Sequence, residues 1–131
     1  MFVKSGSGFQ PHALGLLRIA AAFNFISHGV QKFGLLDGKA REFPQLLWFA
    51  GVNETIFGTL ILLGLFTRPA ALLMSGQMAI AFFRSHLPGG FWPILNGGEL
   101  AVLYSFIFLL IFSAGPGKFS LDQLILSRSS K

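Results

Sequence analysis

The residues able to do chemistry in this chain are few, and they interrupt long apolar runs. Arg18, Asn24 and His28 fall in one run and Lys32 follows it; Asn53 and Glu54 sit inside a second; His86 ends a third and Glu99 opens a fourth. Asn24, His28 and Gln31 or Lys32 recur at helical spacing, which sets them on one helix face. A charge inside an apolar membrane helix costs several kcal/mol unless it meets a partner or water. These groups are therefore expected to meet one another. Together they suit an amphiphile with a polar head: quinone carbonyls accept from His, Arg or Lys, and a carboxylate can pass the protons of quinone reduction. Glu54, His28 and Arg18 are the best candidates for such catalytic work, and Arg18, Asn24, His28, Lys32, Asn53, Glu54, His86 and Glu99 for ligand binding. A competing reading makes the same polar groups interhelical glue, worth about 1 kcal/mol per contact. No metal site is assigned, because His28, Glu54, His86 and Glu99 form no compact ligand motif. No CxxCH is present to attach a haem covalently.

The elements that must position these groups follow from composition. The chain has 131 residues, 53% hydrophobic and 11% charged, against about 25% charged in an ordinary soluble domain. So few charges cannot cover the surface of a small soluble protein. With no cysteine, disulfide frameworks and cysteine-ligated clusters are excluded. The net charge of +5 is scattered between apolar runs, which points to anionic lipid headgroups and away from nucleic acid.

Apolar runs cover 12–30, 46–66, 69–87 and 98–114. They are continuous where barrel strands would alternate, so each is expected to be a helix, spanning about 25–30 Å. Short links make sequential helices antiparallel. The expected fold is an all-α membrane protein, an up-down-up-down four-helix transmembrane bundle with a short C-terminal interfacial helix. Ser120 reads as the N-cap of that last helix, over 121–126. Residues 1–11 read as a mobile tail, 12–126 as the transmembrane domain, and 127–131 as a second tail. The first run continues into Gly-Val-Gln-Lys-Phe-Gly with no small-residue cleavage site, so it is expected to be retained. Lys4, Arg68, Lys118, Arg128 and Lys131 fall on the side of the termini, and Lys32, Lys39, Arg41 and Arg84 on the other. That bias favours cytoplasmic termini.

Depth then pairs the charges. His28, Lys32, Arg84, His86, Asn96 and Glu99 fall at the face opposite the termini. Glu54 lies about 12 Å below it and Arg18 about 18 Å. An Arg18–Glu54 pair is expected between adjacent helices, under a polar funnel opening at that face.

The residues also carry a resemblance. Leu17-Arg18, His28-Gly29-Val30-Gln31-Lys32, Asn53-Glu54, Gly64-Leu65-Phe66-Thr67-Arg68, Asn96-Gly97-Gly98-Glu99 and Gly115-Pro116-Gly117-Lys118-Phe119-Ser120-Leu121-Asp122, in this order and spacing, resemble the DoxX family of small four-helix membrane proteins. The resemblance implies an inner-membrane protein and carries over Arg18, His28, Lys32, Glu54, Arg68, Glu99 and Asp122; Arg68, Gly115, Gly117, Ser120 and Asp122 are given structural parts. The family takes its name from a subunit of a thiosulfate:quinone oxidoreductase. The implied role is a subunit or accessory of quinone-linked redox chemistry, with a quinone bound non-covalently. Having no cysteine, this chain alone lacks a sulfur-handling group for the thiosulfate reaction. Two alternatives stay open: a structural or assembly subunit with no activity of its own, and a small-molecule transporter. Expected partners are membrane lipid and other membrane subunits or further copies of the chain.

Overall fold

The computed structural model describes residues 2–36, 38 and 45–129, and all of its regular elements are helices. They are α1 (Phe2–Gln31), α2 (Leu46–Leu63), α3 (Thr67–Ala81), the single turn α4 (Pro93–Asn96), α5 (Glu99–Ala114) and α6 (Leu121–Ser129). Lys39, Arg41 and Lys131, which entered the charge bias, lie outside the described residues, as do the side chains of Lys4 and Arg128.

Several boundaries differ from the sequence reading. The backbone of α1 is helical from Phe2, so the expected N-terminal tail is an extension of the first helix. Pro11 lies inside α1; it removes one helical N–H, and the chain tolerates this in an otherwise favourable run. The expected C-terminal tail over 127–131 is helical as far as Ser129. The second helix stops at Leu63, short of 66, because Gly64 turns left-handed at φ 71°. Gly64 N–H then donates to Ile61 O at 3.0 Å and Leu65 N–H to Leu60 O at 2.9 Å, the paired bonds of a glycine-terminated helix end. Between the runs expected over 69–87 and 98–114, Pro93 starts the one-turn α4.

Helices α1 and α2 pack closely on each other, as do α3 and α5. The α1–α2 contact depends on glycines: a Cβ on Gly51 would stand 2.9 Å from Lys32 Cβ and 3.3 Å from Gly29 O. Between α3 and α5, Ser75 Oγ donates to Ser105 O at 2.7 Å and Ser105 Oγ returns to Ser75 O at 3.0 Å. Each hydroxyl thereby supplies a donor that neither helix backbone can provide at that point. Phe25 stands at the centre, its ring 5.4 Å from Tyr104 and 5.0 Å from Phe108. Ala21, Ala22, Ala70, Ala71, Met74 and Ile61 close around it.

Polarity runs inside out. Arg18 and Glu54 are 0% and 4% exposed, while Phe106, Phe23 and Ile80 are 67%, 65% and 64% exposed. Among the described residues, one stretch, Gly8–Gln31, is long and apolar enough to cross a membrane; Leu47–Leu63 and Glu99–Ala114 are shorter apolar helices.

Candidate functional site

Where α1 ends, its chain delivers Lys32 to the middle of α2. Lys32 Nζ donates to Glu54 Oε2 at 2.7 Å, and its stem keeps the ammonium 3.5 Å from the His28 carbonyl. The other carboxylate oxygen faces α3: Gln77 Nε2 donates to Glu54 Oε1 at 3.5 Å, and Asn53 Nδ2 donates to Gln77 Oε1 at 3.3 Å. Asn53 thus fixes which way the Gln77 amide points, and Gln77 in turn presents its NH2 to Glu54. A buried carboxylate needs this degree of pairing to be tolerated.

This polar cluster forms part of the wall of a cavity of about 820 Å³. His28, Lys32, Asn53, Glu54, Gln77, Arg84, Ser85, His86 and Tyr104 supply its polar lining, and Phe25, Leu72, Leu73, Met78, Ile80 and Leu100 much of its apolar wall. The His28 ring stands edge-on to Tyr104, centroids 6.1 Å apart. At the end of α3 the helix widens into a π turn, Phe82–His86, before a 3-10 turn, Leu87–Gly89. Such widened turns recur at functional sites because they re-aim side chains, and this one carries Arg84, Ser85 and His86. His86 Nδ1 lies 3.3 Å from Asn96 O. A carbonyl only accepts, so Nδ1 carries a proton and donates to it. Asn96 Oδ1 accepts from Gly98 N–H at 2.8 Å, which holds the start of α5 against this turn.

Arg18 is elsewhere, and the expected Arg18–Glu54 pair does not form. Its guanidinium donates to the carbonyls of Pro116, of Lys118 at 3.0 Å and of Phe119 at 2.8 Å, with the Asp122 carboxylate in electrostatic reach. The reason is geometric. The non-helical turn after α5 leaves several nearby carbonyls without helical donors, and the fork of an arginine can satisfy more than one at once. Asp122 completes this hub by accepting from Phe66 N–H and Thr67 N–H, both at 2.9 Å. Arg68 reaches the end of α5, donating to Ser113 O at 3.2 Å. Ser120 Oγ accepts from Gln123 N–H at 3.2 Å, the cap expected for α6. Gly115 and Gly117 turn at φ 92° and 72°.

Among the other sequence candidates, Asn24 is exposed, bonds to Ala20 O at 3.0 Å and borders a separate cavity of about 240 Å³. Glu99 is exposed and outside the lining of the main cavity. His28, Lys32, Asn53, Glu54 and His86 come together as its polar residues. Sequence reasoning missed Gln77 and Tyr104. The signal for Gln77 was a lone amide in the apolar third run. A single tyrosine among sixteen phenylalanines was the signal for Tyr104.

A family model described as DoxX matches residues 13–87. An uncharacterized protein of Haemophilus influenzae is 43% identical over 123 residues, covering 88% of this chain and 92% of that protein. An uncharacterized membrane protein of Mycobacterium tuberculosis is 35% identical over 141 residues, covering 92% of this chain and 85% of its own. A second Haemophilus influenzae protein is 31% identical, with 92% of this chain covered. No solved structure matches.

Proposed function

The chain belongs to the DoxX family, and we propose that it is a multi-pass inner-membrane protein that holds a quinone-like amphiphile in the Lys32–Glu54 cavity as part of quinone-linked redox chemistry. The membrane part is supported by a surface of exposed Phe, Leu and Ile around buried Arg18 and Glu54, and by the likeness to the mycobacterial membrane protein. In this reading α1, α2, α3 with its π turn, and α5 cross up-down-up-down. The 16 residues of α5 and 18 of α2 reach about 24–27 Å, close to a hydrocarbon core of about 30 Å. Both termini then share the cytoplasmic side, and α6 lies along the membrane surface.

The observation that carries the ligand reading is the cavity itself. About 820 Å³, apolar walls and a cluster of polar groups match the usual form of a small-molecule site. Lys32 and His28 offer donors to a head carbonyl, Glu54 is the group able to move a proton, and the apolar wall takes the tail. Equilibrium titration of the protein with decylubiquinone in nanodiscs tests this. Saturable binding near one equivalent, weakened in His28→Ala and Glu54→Gln, is expected; purely lipid-like partitioning, unchanged in both variants, would overturn it.

A further inference from the structure

The cavity has more cation than a neutral quinone can use. Glu54 is the one acidic side chain among its lining residues, and it is already taken by Lys32 at 2.7 Å and by Gln77. Glu99, the nearest other carboxylate in sequence to this rim, is exposed and outside the lining. Arg84 also lines the cavity, yet among the described residues it makes no hydrogen bond or ion pair. Two residues on, His86 has its Nδ1 committed to Asn96 O, which fixes its ring on the same rim. The π turn is what carries both onto that rim.

From this geometry we infer that the cavity also takes an amphiphile with an anionic head, a carboxylate or phosphate on an apolar tail, held at the rim by Arg84 in competition with quinone. The inference rests on the reading that this cavity binds an amphiphile, and adds to it the charge of a second ligand class. Arg84 supplies a planar fork of donors that fits two oxygens of a carboxylate or phosphate. The ammonium of Lys32, neutralised by Glu54, contributes little net charge, so discrimination falls to Arg84. The tail lies along Leu72, Leu73 and Leu100, where a quinone's tail would lie, so the two occupants exclude each other. A free single-chain amphiphile and a bilayer phospholipid present the same head chemistry.

The test is titration in phosphatidylcholine nanodiscs with dodecyl phosphate, dodecanoate and dodecanol, which share a tail and differ in head charge, with decylubiquinone as competitor. The two anions are expected to bind at least 10-fold tighter than dodecanol and to displace decylubiquinone. Arg84→Gln should reduce that preference to about 3-fold or less, and Arg84→Lys should keep most of it. Circular dichroism checks that each variant is folded. Native mass spectrometry after release from a mixed phosphatidylcholine–phosphatidylglycerol bilayer separates the sources: a retained phosphatidylglycerol adduct marks the bilayer lipid, a fatty-acid adduct a free chain, and either supports the inference. Equal affinity for dodecanol and the anions, or a preference unmoved by Arg84→Gln, overturns it. If decylubiquinone binds saturably while the charge preference is absent, only this inference falls; if no probe binds saturably, the quinone reading falls with it.

Discussion

Lys32 Nζ and Glu54 Oε2 lie 2.7 Å apart, with the lysine side chain 20% and the glutamate side chain 5% exposed. The pair joins the end of α1 to the middle of α2 beside the cavity, and Gln77 ties the same carboxylate to α3. Because both partners are largely removed from solvent, they should couple strongly. A double-mutant cycle with Lys32→Met and Glu54→Gln, read by reversible unfolding in mixed micelles, is expected to give about 1–3 kcal/mol of coupling. Arg18→Leu combined with Glu54→Gln should instead be additive within about 0.5 kcal/mol, since the two residues share no partner.

Arg18 holds the turn after α5 through three carbonyls. Truncating it leaves those acceptors buried and unmatched and removes the cation facing Asp122. Arg18→Ala should cost about 3 kcal/mol or more in the same unfolding assay. Arg18→Lys should recover only part of this, because an ammonium cannot span the three carbonyls. Quinone affinity per folded molecule should change less than twofold in Arg18→Lys, since the residue lies outside the cavity lining.

Asp122 caps the start of α3 with both carboxylate oxygens. Asp122→Ala should cost about 1–2 kcal/mol and Asp122→Asn roughly half of that, because the amide keeps one acceptor. Gly64→Ala in the adjacent turn should cost about 1–2 kcal/mol, since a side chain at φ 71° is strained and its Cβ would run into Ser120. Thermal unfolding midpoints in detergent measure all three.

The α1–α2 contact should be sensitive to side-chain size at one point. Gly51→Val would place methyl groups against Lys32 and Gly29, forcing the helices apart and moving Lys32 from Glu54. The expected result is a loss of about 1–3 kcal/mol together with weaker quinone binding. Ser75→Ala, on the other helix pair, should cost only about 0.6 kcal/mol.

Apolar periodicity and turn residues made the helices readable, since continuous greasy runs, Gly64 and the Gly115–Gly117 turn leave few other choices for the backbone. The grouping of His28, Lys32, Glu54 and His86 was also readable, because His28, Lys32 and His86 lie at helix ends on one face and Glu54 lies below that face, within reach of a lysine side chain. The partner of Arg18 was not. Side-chain charges show in a sequence, but the carbonyls that an irregular turn leaves unpaired do not, and at Arg18 those carbonyls lay nearer than Glu54. The helix boundaries at Phe2 and Ser129 were missed for a related reason: Gly, Ser and Pro weaken a helix without forbidding it when a strong apolar run continues it. The π turn that brings Arg84 and His86 to the cavity has no composition signature at all.

The central claim is that a ligand occupies the space beside Lys32 and Glu54 and not the Arg18 hub. Photo-crosslinking with an azido-quinone in nanodiscs, followed by peptide mapping, tests it most directly. Saturable labelling of peptides containing His28–Lys32, Asn53–Glu54 or Gln77–His86, competed by decylubiquinone and reduced in Glu54→Gln, is expected. Competable labelling confined to the 115–122 turn, or labelling spread along the exposed faces with no competition, would contradict it.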